Sequence, residues 1–139
     1  MMITAILIFA ATCDPALWAH VYKPQRLTIL QGCVTITGTI MHRRHEPDGD
    51  WHIQFQPDAG ELDPTNARND AVQHGFLVLE PICIGTVKQK DAKKPCRGTP
   101  QITVPTVGEH VRATGSLVLD TSPSHGWIEL HPVTFEVVP

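Results

Sequence analysis

From Cys33 the chain alternates strictly, with Val34, Ile36, Gly38 and Ile40 on one side and Thr35, Thr37 and Thr39 on the other. A period of two is the signature of a half-buried β-strand, and a glycine in its middle marks a bulge or a tight bend. Glu46-Pro47-Asp48-Gly49-Asp50 follows as a turn, with Asp-Gly the strongest short hairpin signal. The return strand sends Trp51, Ile53 and Phe55 to the core and His52, Gln54 and Gln56 to the opposite face. Residues 76–84 are almost continuously apolar, the pattern of a strand buried on both faces, and Glu80 interrupts them. Val107-Gly108-Glu109 turns into another period-two run at Val111, Ala113, Gly115 and Leu117. A turn at Ser122-Pro123-Ser124 then leads to a last strand from Trp127 to Val138.

That last strand changes phase. Ile128 and Leu130 occupy even positions, whereas Val133, Phe135 and Val137 occupy odd ones. Alternation puts both sets in one core only if an extra residue intervenes, so a β-bulge is predicted at His131-Pro132, where proline cannot donate to a ladder. Upstream, Asp14-Pro15 is an N-cap followed by proline at the first helical position, which predicts a short helix from Pro15 to Tyr22. Residues 57–74 read as a long polar loop, and residues 85–100 as a lysine-rich excursion with a helical turn near Asp91 to Cys96. The predicted fold is all-β: a small five-stranded OB-like barrel with a short N-terminal helix and two long loops. A β-sandwich would be thinly supplied by so few strands.

The 139 residues suffice for one domain, with 42% hydrophobic and 18% charged residues arguing against disorder and coiled coil alike. Twelve prolines and ten glycines suit short strands and turns better than long helices. With 11 Lys and Arg against 14 Asp and Glu, the chain is not a generic cationic nucleic-acid coat or a polybasic membrane binder. Residues 1–12 carry no charged side chain and an apolar run from Ile3 to Ala11. That run is too short to span a bilayer and fits a signal peptide, with a first β-strand as the alternative. Residues 13–139 then form the single domain, secreted or periplasmic, with no transmembrane span.

Cys13, Cys33, Cys83 and Cys96 form an even set, which in an exported chain implies two disulfides with three possible pairings. The two local loops, Cys13–Cys33 and Cys83–Cys96, are the most natural choice. Lacking a Cys-x-x-Cys pair, these residues make a poor zinc set.

The segments Val34-Thr35-Ile36-Thr37-Gly38-Thr39-Ile40, Asp48-Gly49-Asp50-Trp51-His52-Ile53 and Trp127-Ile128-Glu129-Leu130-His131-Pro132-Val133 occur in this order. Together they resemble a family of small exported bacterial proteins with an OB-like core, whose pattern is V-x-G-x-I, D-G-D-x-H-I and a closing W-x-E-x-H-P-V. Ala19-His20-Val21-Tyr22 and Gln25-Arg26-Leu27 resemble its N-terminal block. The resemblance covers most of the chain from Cys13 and implies the fold and export rather than an activity.

His52, Glu129 and His131 are the sharpest constellation, at non-core phases of strands that a barrel can bring together. Two imidazoles and a carboxylate are a standard set for a divalent metal such as zinc. Their structural alternative is a half-buried histidine at a bulge, bonded to a carboxylate. Asp48 and Asp50 are further ligand candidates, although the turn alone explains Asp-Gly-Asp. Arg43 and Arg44, with Trp51 as a stacking surface, read as a ligand-binding rim or as a solvated hairpin end. The lysine-rich excursion is weighed the same way, as a soluble loop or a weak anion-attracting patch. No Gly-x-Ser-x-Gly, Walker or glycine-rich phosphate motif is present. Three functions follow: a binding module for a single-stranded oligonucleotide or a glycan, a metal-dependent hydrolase, and an envelope interaction protein.

Overall fold

A computed structural model describes residues 12–139. Residues 1–11, and with them the signal-peptide and first-strand readings, lie outside the described residues. The strands are β1 (Leu27–His45), β2 (Trp51–Pro57), β3 (Leu77–Leu79), β4 (His110–Asp120) and β5 (Ile128–Val137). Helical structure is confined to short pieces, including α1 (Ala67–Val72) and α2 (Lys93–Cys96). Among the described residues no helix is long and apolar enough to cross a membrane.

The strands close in the order β1-β2-β3-β5-β4, with β4 returning to β1. Neighbours are antiparallel except β3 and β5, which run parallel. The 19-residue β1 makes closure possible, because its C-terminal half pairs with β2 while most of its length pairs with β4. Gly38 belongs to both ladders, facing Pro57 and Val111. A Cβ there would lie 2.2 Å from the Gln56 carbonyl oxygen, so only glycine admits the crossing.

The inward positions of β1 are those the alternation assigns: Val34, Ile36 and Ile40 pack with Ile53, Phe55, Leu77, Leu79, Val111 and Leu130 in the main core. Each fully buried side chain of this kind contributes roughly 1.5–3 kcal/mol relative to exposure. A smaller cluster of Val21, Leu27, Ile82 and Val118 seals one side under Leu17 and Trp18. The bulge in β5 stands where the phase flips: Gly115 pairs with Val133 but Leu117 with Leu130, so His131 and Pro132 oppose Ser116 alone. Both cysteine pairs are the local ones, Cys13–Cys33 and Cys83–Cys96.

The structure departs from the sequence reading at several elements. The N-terminal segment Pro15–His20 is a 3₁₀ turn, not an α-helix, although Asp14 caps it as expected by accepting from the Ala16 N–H at 2.9 Å. With so few residues before Pro24, tertiary packing of Leu17 and Trp18 decides its geometry. The polar stretch 57–74 contains α1, begun by an Asn66/Asn69 capping box. The run 76–84 yields only the three-residue β3. The face of β2 opposite the core is covered at His52 and Gln54, 3% and 9% exposed, whereas Gln56 is exposed.

Candidate functional site

Three neighbouring strands deliver the site. Asp50 precedes β2 at the end of the hairpin turn, Glu80 follows β3, and His131 sits in the β5 bulge. The Glu80 N–H donates to the Leu130 carbonyl at 2.9 Å, which sets Glu80 beside the bulge. The Cys83 N–H donates to Asp50 Oδ1 at 3.0 Å, and the Asp50 N–H donates to Asp48 Oδ1 at 3.0 Å. His131 shares the face of Glu129, two residues before it, as a period of two requires, and the bulge that follows returns Val133 to the core. One ligand-type atom from each of Asp50, Glu80 and His131 lies within 4.8 Å of the other two.

Each member is held from behind. His131 Nδ1–H donates to Glu129 Oε1 at 2.9 Å, and the Trp127 indole N–H donates to Glu129 Oε2 at 2.7 Å. Both Glu129 oxygens are thereby engaged, and Nε2 is the ring nitrogen of His131 that faces Asp50. His52 Nδ1 lies 2.7 Å from Glu80 Oε1. Its Nε2–H donates to Gln73 Oε1 at 2.8 Å, which also accepts from Gln54 Nε2 at 3.1 Å. Gln73 reaches this position because Asn69 pins α1 to β5, donating to the Phe76 and Ile128 carbonyls and accepting from the Ile128 N–H.

Burial dominates the electrostatics. It raises the Glu80 carboxyl well above its ordinary range, and the Glu129 and Asp50 carboxylates push the same way. Burial also lowers His52, the histidine bonded to Glu80 through Nδ1. Asp50 is pushed up to about 7, chiefly by burial, against the pull of His131 and the Cys83 N–H. Asp50 Oδ2 and His131 Nε2 have no hydrogen-bond partner among the described residues. They face each other at 3.6 Å, with both residues at most 1% exposed.

Glu80 forms the floor of a surface cleft of about 220 Å³, walled by Tyr22, Lys23, Arg26, Asp48, Ser122 and His125. The Arg26 side is braced by Asp120, which is ion-paired to Arg26 and accepts from His125 Nδ1 at 2.7 Å and the Ser122 N–H at 2.8 Å. Burial alone would raise Asp120, but these donors and the Arg26 charge hold it well below the usual carboxylate range. A larger cavity of about 300 Å³ near the Cys13–Cys33 disulfide has Asp14 as its single ionisable lining residue among those described.

The sequence-derived candidates divide accordingly. Of His52, Glu129 and His131, only His131 points a free ligand atom into the cluster. Glu129 orients His131, and His52 bonds Glu80. Asp50 and Glu80 take the places that sequence reasoning gives to Glu129 and His52. Arg43, Arg44 and Trp51 lie together at the hairpin end, each with partners of its own, and Arg44 is exposed. Arg43 donates to the Val104 and Pro105 carbonyls at 3.2 Å and lies over the Trp51 ring, which also stacks on His45 at 5.0 Å. Arg44 pairs with Glu46 at 2.8 Å. Glu80 and Asp50 each carry a signal in the chain that a structural role also explains: a glutamate breaking an apolar run, and an aspartate at the exit of a hairpin turn. Compared with models of known families and with curated proteins, the chain matches none.

Proposed function

We propose that the protein is an exported OB-like binding module that takes a hydroxyl-rich, saccharide-type ligand in the cleft over Glu80. The OB-like assignment is supported by the strand order, by a long first strand shared between two ladders, and by the parallel β3–β5 contact. Export is supported by the two disulfides. Resemblance to the family with the closing W-x-E-x-H-P-V pattern agrees with both.

The observation that carries the ligand class is the make-up of the cleft. The lining combines Lys23 and Arg26 with Asp48 and Glu80, and Tyr22 adds a ring with the Lys23 ammonium over it at 5.2 Å. Mixed donors and acceptors beside an aromatic face suit hydroxyl groups. A nucleic-acid backbone needs instead a cationic track with free aromatic platforms, and Arg43, Arg44 and Trp51 are occupied by protein partners. The buried carboxylates and His131 favour a second reading, a hydrolase dependent on a bound ion.

Amide NMR titration with a panel of oligosaccharides and with single-stranded DNA, each at low and high salt, tests the reading. The expected result is salt-insensitive shifts at Tyr22, Lys23, Ser122 and His125 with one glycan class, weakened in Glu80→Gln. DNA-induced shifts at Arg43 and Arg44 that vanish at high salt would overturn it.

A further inference from the structure

We propose that Asp50, Glu80 and His131 form a binding site for a divalent transition ion of the zinc type, with Asp50 Oδ2, a Glu80 carboxylate oxygen and His131 Nε2 as its protein ligands. The site underlies the cleft but does not depend on what fills it.

Two of the three buried side-chain polar atoms without a partner among the described residues belong to this cluster. Asp50 Oδ2 and His131 Nε2 are fully buried, face each other and have no other partner among the described residues. Their 3.6 Å separation is too long for a hydrogen bond, which needs about 2.7–3.2 Å. Yet it is close to the edge of a metal coordination shell. Two bonds of about 2.0–2.1 Å at the tetrahedral angle put ligand atoms about 3.3 Å apart. The third ligand atom, from Glu80, lies within 4.8 Å of both, so a small inward movement of one carboxylate completes the triangle.

What surrounds the three ligands has the form of a metal shell. A metal-bound histidine characteristically donates its other ring N–H to a carboxylate, which fixes its tautomer. His131 does so to Glu129, itself anchored by Trp127. Glu80 is held by His52. An imidazole nitrogen with two carboxylates selects zinc-type ions over calcium or magnesium, which prefer oxygen-only shells. Three protein ligands leave a coordination position open, and of the three Glu80 also lines the cleft.

The test uses the oxidised protein, stripped with chelator and titrated with zinc and cobalt(II) ions alone. We expect one equivalent to bind, visible d–d absorption with cobalt, and a zinc-induced change in the ¹⁵N shift of His131 Nε2. Asp50→Asn keeps the side-chain shape and the Cys83 contact, and should weaken binding at least ten-fold. Glu129→Gln alters the carboxylate behind His131 without removing a ligand, and should cost about 10–100-fold in affinity while leaving the stoichiometry at one. Because either variant could fold poorly, the wild-type ¹⁵N measurement stands on its own. Absence of stoichiometric binding, or shifts confined to the exposed His42 and His45, would overturn the proposal. Metal bound without any glycan response would refute only the saccharide reading, and the reverse result only the metal site.

Discussion

Gly115 is the residue against which the β5 bulge is seated, and replacing it tests whether that close approach is what positions β5 and the His131 it carries. An Ala Cβ at this position would stand 2.3 Å from the Pro132 carbonyl oxygen and 3.1 Å from the Val133 Cα. A carbon–oxygen contact needs about 3.3 Å, so the strands must separate by about 1 Å. Both obstructing atoms are backbone, so no rotamer change relieves the clash. Overpacking of this kind costs about 1–3 kcal/mol, with the upper end appropriate where backbone must move. The lower entropy of the unfolded alanine chain returns about 0.4–1 kcal/mol. Gly115→Ala should therefore lower stability by about 2 kcal/mol in urea denaturation, with an unchanged m-value. Gly32→Ala is the matched control: it lies in β1, where an added methyl would meet nothing within 4 Å, and should be neutral or stabilising by about 0.5 kcal/mol. The His131 ring resonances should move in Gly115→Ala and stay in place in Gly32→Ala. If the two variants were equally stable, the close approach at the bulge would not be what positions β5, and the reasoning would fail.

Asp120→Asn should cost about 2 kcal/mol near neutral pH through loss of charge-assisted bonds to Arg26 and His125. Since Asp120 titrates below its ordinary range in the fold, its contribution is present above an unfolded value of about 3.9 and fades as pH falls below it. Denaturation curves of the two proteins should thus converge in acid, and a constant gap would refute the assignment. Cys83→Ser with Cys96→Ser opens the disulfide that joins positions 13 apart in sequence and should lower stability by about 3 kcal/mol, read as a drop in melting temperature. His110, which Asp58 and the Pro139 carbonyl raise above its ordinary pKa of 6.5, favours the fold most fully below that value, and its contribution fades as pH climbs through the raised one. NMR titration should find His110 titrating above 6.5, with the elevation lost in Asp58→Asn.

Much of the barrel is legible in the chain because periodicity is local information. The alternation of β1 assigns Val34, Ile36 and Ile40 to the core, where they lie, and the phase flip between Leu130 and Val133 locates the bulge. Loop length favours the two observed disulfides. By contrast, the helix α1 escapes a sequence reading because its capping box uses Asn66 and Asn69 instead of the commoner Ser or Thr with Glu. The apolar run around Glu80 suggests too long a strand, since a buried irregular segment is as hydrophobic as a buried strand.

For the site, the chain by itself determined the chemical inventory: a histidine at the β5 bulge, a carboxylate two residues before it, an aspartate leaving the hairpin and a glutamate set in apolar surroundings. Only the tertiary structure decided which of them converge. His131 and Glu129 stand out together in the sequence, but their roles differ because Trp127 and His131 consume both Glu129 oxygens. Asp50 and Glu80 come to face His131 because β2, β3 and β5 are neighbours in the closed barrel. His52 has the phase of a residue facing water, yet it is buried because α1 lays Gln73 across it. The physical reason is that a strand's sequence records which of its faces is apolar, whereas the partner of a polar side chain is set by strand order and by what later covers the sheet, contacts separated by tens of residues along the chain.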